Sequence, residues 1–149
     1  MADAEGMKPQ GGGAGELWEC SSEVIGACIE VHRALGPGLL ESAYEICLAQ
    51  ELTLRGVPFE RQKELPVHFK GVKLECSYRM DFVIDSALIL EVKAVERVLP
   101  VHEAQLISYL RLARLPVGLL VNFHTETIRR GLRRFTLKQS TPPDLPSPC

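Results

Sequence analysis

Apolar periodicity along the chain reads helix, three strands, helix, strand, with one further helix in front. That order predicts a mixed α/β fold in which helices flank a central sheet. Two local features support it. The run Val117-Gly118-Leu119-Leu120-Val121 is wholly apolar, as a strand buried on both faces must be. Ser77 to Val95, SYRMDFVIDSALILEVKAV, reads as a buried antiparallel hairpin into which one Asp, one Glu and one Lys have been set. Burial makes charge costly, so these three residues mark where the sequence departs from simple core formation.

At 149 residues and 46% apolar content, the chain is long enough for one domain with a real core. Residues 1–17 are Gly-rich and expected to be disordered, 18–139 form the domain, and 140–149 are a Pro-broken tail, again expected to be disordered. No apolar run reaches membrane-spanning length, and MADAEGMKPQGGGAGE lacks the basic and apolar regions of a signal peptide. A cytoplasmic protein with no membrane partner is expected. The five cysteines show no C-x-x-C, which indicates neither a disulfide framework nor a zinc knuckle. A net charge of −2 excludes coating of nucleic acid by bulk electrostatics, though not a local basic groove.

Taken in order, Ser21 or Ser22 is expected to cap a first helix to about Leu35, with Ile25, Cys28, Ile29 and His32 at i, i+3, i+4, i+7. Gly36-Pro37-Gly38 ends it. A second helix runs from about Leu39 to Leu54, its stripe drawn from Leu40, Ala43, Tyr44, Cys47 and Leu48, with Gly56 as its C-terminal cap. Strands follow at Gln62 to Phe69, at Val72 to Glu75 leading into the hairpin, and at 88–95. Pro100 opens a third helix, His102 to Ala113, with Leu106, Tyr109 and Leu110 inward. After the buried strand at 117–121, Glu126 to Lys138 reads as a short helix and an edge strand around Gly131, carrying Arg129, Arg130, Arg133 and Arg134.

The hairpin's register decides whether its charges meet. A two-residue loop at Asp85-Ser86 pairs Asp81 with Leu90 and separates the carboxylates. A three-residue loop, Asp85 to Ala87, pairs Ile84 with Leu88, Phe82 with Leu90 and Asp81 with Glu91. Only the second, or an equivalent bulge, sets Met80, Phe82 and Ile84 against Leu88, Leu90 and Val92 on one apolar face, so it is expected. Asp81 and Glu91 then face each other with Lys93 beside them. Two such carboxylates repel unless a cation lies between them, and hard ligands without His or Cys favour Mg²⁺ or Mn²⁺. The competing reading is a solvated sheet face with ordinary ion pairs, Arg79 with Glu91 or Asp81 with Lys93.

Further motifs join these residues. Gly38-Leu39-Leu40-Glu41-Ser42-Ala43-Tyr44 is a G-x-x-E-x-x-Y sequence, preceded by Val31-His32-Arg33 and followed by Tyr78-Arg79-Met80-Asp81, Glu91-Val92-Lys93-Ala94 and Val101-His102-Glu103-Ala104-Gln105. From about Ile25 to Phe135 the chain resembles the GxxExxY family of the PD-(D/E)XK nuclease superfamily. The resemblance implies a restriction-endonuclease-like αβββαβ core, here with one extra N-terminal helix, and a metal-dependent nuclease acting on nucleic acid, DNA rather than RNA. It places Asp81, Glu91, Lys93 and Glu41 at the catalytic positions. Met80 stands where the superfamily's motif name has Pro. Gln105-Leu106-Ile107-Ser108-Tyr109 is similar to the Q-x-x-x-Y motif of RecB-like exonucleases, which implies exonucleolytic action.

Under that reading Mg²⁺ or Mn²⁺ is held by Asp81, Glu91, the Val92 carbonyl and Glu41, the last directly or through water. Lys93 orients or deprotonates the attacking water and stabilises charge on the phosphate. Gln105 and Tyr109 position nucleic acid, and Arg129, Arg130, Arg133 and Arg134 are candidates for a basic strip along its backbone. His32 is either near the site or a satisfied core histidine. His68, His102 and His124 are assigned no chemistry. The alternative to an enzyme is a catalytically silent nuclease fold that binds nucleic acid or a protein partner. Selectivity is expected from nucleic-acid shape, a homodimer or such a partner.

Overall fold

The computed structural model describes residues 14–137, so the disorder expected of residues 1–13 and 140–149 lies outside the described residues. The chain forms α1 (Ala14–Leu35), α2 (Glu41–Leu54), β1 (Phe59–Phe69), β2 (Val72–Ile84), β3 (Leu88–Lys93), α3 (Pro100–Ala113), β4 (Val117–Asn122), α4 (Ile128–Gly131) and β5 (Leu132–Thr136). The strands make one sheet in sequence order. Neighbours are antiparallel except β3 and β4, which are parallel because α3 carries the chain back across the sheet. The expected restriction-endonuclease-like order is therefore present.

The two sheet faces are filled by different helices. Val24, Ala27, Cys28 and Val31 of α1 and Tyr44, Leu48 and Leu52 of α2 pack with Phe82, Ile84, Leu88, Leu90, Val92, Leu119 and Val121. Leu106, Tyr109 and Leu110 of α3 pack with Leu65, Met80, Val83, Ile89 and Leu120 on the other face. Alternation along β3 therefore sets Glu91 on the α3 side. Among the described residues, no helix is long and apolar enough to cross a membrane.

Three expectations are corrected. Helix α1 begins at Ala14, so Ser21 lies inside it, buried, with its hydroxyl unpartnered, rather than at its cap. The buried stripe of α1 is Val24, Ala27, Cys28 and Val31, so Cys28 is inward as expected, but the stripe is turned by one position from the expected set and Ile29 is half-exposed. Both sets have i, i+3, i+4, i+7 spacing, so periodicity alone could not separate them. Leu40 precedes the first turn of α2 and is 77% exposed, leaving Tyr44, Leu48 and Leu52 as its buried face.

The β1–β2 pair outruns the sheet. It is bonded from Phe59/Ile84 to Phe69/Val72, whereas β2 pairs with β3 only through Phe82, Val83 and Ile84. Residues 72–80 thus form, with β1, a two-stranded arm.

At the other edge the α4–β5 corner depends on Gly131, which is buried. A Cβ there would lie 2.2 Å from the Asn122 carbonyl oxygen. Gly131→Ala is expected to destabilise the protein by about 1–3 kcal/mol, seen as a lower urea midpoint at unchanged slope.

Candidate functional site

The hairpin turn carries Asp85 and Ser86 at φ 54° and 53° and is closed by the Ala87 N–H donating to Ile84 O at 2.9 Å. Ile84 pairs with Leu88 and Phe82 with Leu90, so Ala87 is the extra residue and the three-residue register holds. Asp81 and Glu91 come next, and there the ladder changes character. The Asp81 N–H donates to Glu91 Oε2 at 3.0 Å, and the Val92 N–H donates to Asp81 Oδ2 at 2.8 Å. Each carboxylate is fixed by backbone of the other strand, and each keeps a second oxygen, Asp81 Oδ1 and Glu91 Oε1.

On the β1 side the neighbour of Asp81 is Gln62, between Arg61/Phe82 and Lys63/Met80, and its φ of 49° kinks the strand. Gln62 Nε2 approaches Asp81 Oδ1 at 3.5 Å and donates to Glu45 at 3.0 Å, while Arg61 pairs with Glu45 at 2.7 Å. Because β2 is irregular toward both neighbours at Asp81, its alternation breaks. Met80 joins the α3 cluster instead of the face of Phe82 and Ile84 on which it was expected.

Electrostatics follow from burial. Glu91 is 5% exposed and Asp81 half-buried. Burial pushes the Asp81 carboxyl up; the Val92 N–H and Lys93 oppose this, while Glu45 and Glu41 add to it. Burial and then Asp81 push Glu91 up, against the Asp81 N–H and Lys93, and Glu41 again adds to it. Neither ion pair of the competing reading forms among the described residues: Glu91 is buried, and no described carboxylate lies within ion-pair distance of Arg79 or Lys93. The Tyr109 hydroxyl is pushed up to about 12 by burial, then by Glu91, Asp81 and Tyr78, so it remains a donor at neutral pH. Asp81, Glu91, Lys93, Glu41 and Tyr109 thus share one electrostatic neighbourhood. Gln105 is exposed one turn earlier on α3.

Two carboxylates with fixed orientation, a spare oxygen each and raised proton affinity suit a hard divalent cation. Among the described residues, no three His, Cys, Asp or Glu side chains converge on one point. A direct ligand set would therefore be two carboxylates completed by carbonyl and water, as Mg²⁺ accepts.

The start of α2 is set by a glycine turn, with Gly36 and Gly38 at φ 69° and 106°. The Tyr44 hydroxyl donates to Gly36 O at 2.5 Å and accepts from the Leu39 N–H at 3.1 Å, and its ring stacks on Phe123 at 4.5 Å. This closes the turn and delivers Glu41 in the first helical turn.

The family model described as the PD-(D/E)XK nuclease superfamily matches residues 18–135. The chain belongs to the PD-(D/E)XK nuclease superfamily. No curated protein and no solved structure matched it. Superfamily members are generally nucleases that use divalent metals and act on nucleic acid.

Not every expected residue comes to the carboxylate pair. His32 Nε2 is bonded to Thr125 O at 2.9 Å, a satisfied histidine, and Arg33 pairs with Glu30. The four arginines do not make one strip. Arg133 pairs with Glu103 of α3, its strand neighbour Arg134 alternates to the other face, and Arg130 pairs with Glu126. His102 takes the Leu99 N–H on Nδ1 at 3.0 Å and caps α3.

Three residues escaped the sequence reading. Glu45 lies one turn beyond Glu41, a spacing that could have shown it. Gln62 carried no signal. Asn122, buried at the end of an apolar strand, binds the Val95 N–H at 3.0 Å and Val95 O at 2.9 Å. With the Phe123 N–H on Lys93 O at 2.8 Å, it fixes the backbone around Lys93.

Both carboxyls are raised, so in metal-free protein their stabilising contribution is full below the ordinary carboxylate range, ~4. It is lost as pH rises through about 6 and about 8. Glu91→Gln keeps an acceptor for the Asp81 N–H without charge. In EDTA it is expected to equal wild type near the acid end and to exceed it by on the order of 2 kcal/mol at alkaline pH. Calorimetric melting across that range checks it, and equal pH slopes would refute it.

Proposed function

We propose that this PD-(D/E)XK protein, as a GxxExxY-type member, hydrolyses phosphodiester bonds of nucleic acid, DNA in preference to RNA, using Mg²⁺ or Mn²⁺. The observation that carries the reading is the reciprocal backbone capping of Asp81 and Glu91, which fixes one oxygen of each and leaves the second within electrostatic range of Lys93. Asp81 and Glu91 would hold the cation with the Val92 carbonyl, and Glu41 through water. Bound there, the cation supplies neutralisation of phosphate charge and a water of lowered pKa.

The chain's own groups do the rest. Lys93, on a strand fixed on both sides, presents an ammonium to the attacking water and the phosphate. The protonated Tyr109 hydroxyl and the Gln105 amide, one helical turn apart, hold the scissile strand, and their Q-x-x-x-Y spacing favours attack from an end. Gln62, itself held by Glu45 of α2, steadies Asp81 from the β1 side.

Cleavage of end-labelled single- and double-stranded DNA and RNA, with Mg²⁺, Mn²⁺ or EDTA, tests this. Wild type is expected to cut DNA in a metal-dependent way with a product ladder from one end, and Asp81→Ala and Lys93→Ala are each expected to lose at least ~100-fold. No cleavage of any substrate, with no loss of Mn²⁺ affinity in Asp81→Ala, would leave a binding module in place of the nuclease.

A further inference from the structure

The arm formed by β1 and β2 beyond the carboxylate pair has one apolar face. Leu65 lies opposite Tyr78 and Phe69 opposite Val72, with Leu74 on the same face by alternation. At its base this face is covered by α3: Leu65 and Met80 are buried, and the Tyr78 ring lies 5.8 Å from that of Tyr109. Beyond the base nothing among the described residues covers it. Phe69, Val72 and Tyr78 are 61%, 59% and 48% exposed.

The arm is also a basic segment of an acidic protein. Residues 63–79 carry Lys63, Lys70, Lys73 and Arg79 against Glu64 and Glu75, a net of +2 (four minus two), whereas the whole chain is −2. Glu64, Lys73, Glu75 and Arg79 alternate to the opposite face, which leaves Lys63 at the base and Lys70 at the tip beside the apolar face, and Lys70 Nζ sits 5.4 Å over the Phe69 ring. Aromatic rings in line with lysines suit unpaired bases with their phosphates, since any base can stack and the backbone is anionic.

Other occupants fit less well. A second copy would set one positive arm against another. The chain's own ends leave from the far side of the sheet: Thr136 pairs with Val117 at the start of β4, opposite the Lys93 end. The start of α1 lies 18 residues (32 − 14), about 27 Å of helix, from His32, which meets Thr125 beyond the end of β4.

We infer that the β1–β2 arm is a track for single-stranded nucleic acid, on which unpaired bases stack on Phe69 and Tyr78 while Lys63 and Lys70 hold phosphates. The track leads to the carboxylate pair, so the inference rests on the phosphodiesterase reading for what is cut and narrows that substrate to a strand with unpaired bases.

Binding of fluorescent oligothymidine to the full chain in EDTA separates the two. Phe69→Ala is expected to weaken it about tenfold, Phe69→Leu equally, and Phe69→Trp not at all. Lys63→Gln with Lys70→Gln is expected to flatten the salt dependence by about 0.7 per lost phosphate contact. A duplex of the same length is expected to bind more weakly and to ignore Phe69. The inference is overturned if all variants bind like wild type, if wild type does not bind oligothymidine, or if Phe69→Ala only converts a dimer to a monomer in light scattering. With Mn²⁺ restored, Phe69-dependent binding without hydrolysis of any phosphodiester would keep the track and remove the nuclease. Hydrolysis without Phe69-dependent binding would do the reverse.

Discussion

In an antiparallel ladder, backbone N–H and C=O groups satisfy one another, and side chains are bystanders. At Asp81 and Glu91 that exchange passes to the carboxylates, each accepting an N–H from the opposite strand. The substitution holds two negative charges in a nearly dry place without an orphaned donor. It also ends the β2–β3 ladder, which frees β2 to leave the sheet. The acidic pair, the kink at Gln62 and the departure of the arm are therefore one structural event.

Around this event the rest of the fold acts as scaffolding of the backbone rather than of the charges. Tyr44 closes the glycine turn and so aims Glu41; Asn122 grips Val95 and so fixes the strand that carries Lys93. Both holding residues are buried, reach backbone atoms and lie against the α1–α2 layer or β4. Damage to them would misplace a charge without touching it.

The reach of sequence reasoning follows the same division. The register of 81 against 91 was legible because only one loop length leaves Phe82, Ile84, Leu88, Leu90 and Val92 on a single face. The charges of Asp81, Glu91 and Lys93 stood out against apolar neighbours, and the buried β4 run was legible from its composition. The grip of Asn122 on Val95 joins residues far apart in sequence, and an Asn at a strand end has no local pattern to betray it. The stripe of α1 was ambiguous because two sets of residues share one periodicity, and Met80 was misplaced because alternation presumes a regular strand. The arginines looked like a strip in sequence, but a strand sends neighbours to opposite faces.

The parallel pairing of β3 with β4 carries a consequence for how the chain assembles. The β2–β3 hairpin is local and can close early, but β3 becomes an interior strand only after α3 has folded back and β4 has docked. Until then Leu88 to Val92 is an apolar edge, the segment of the chain most open to wrong pairing. The two acids are solvated over the same interval, since it is α3 and the completed sheet that enclose them. Their mutual repulsion therefore enters late, as a brake on the final docking step rather than on nucleation.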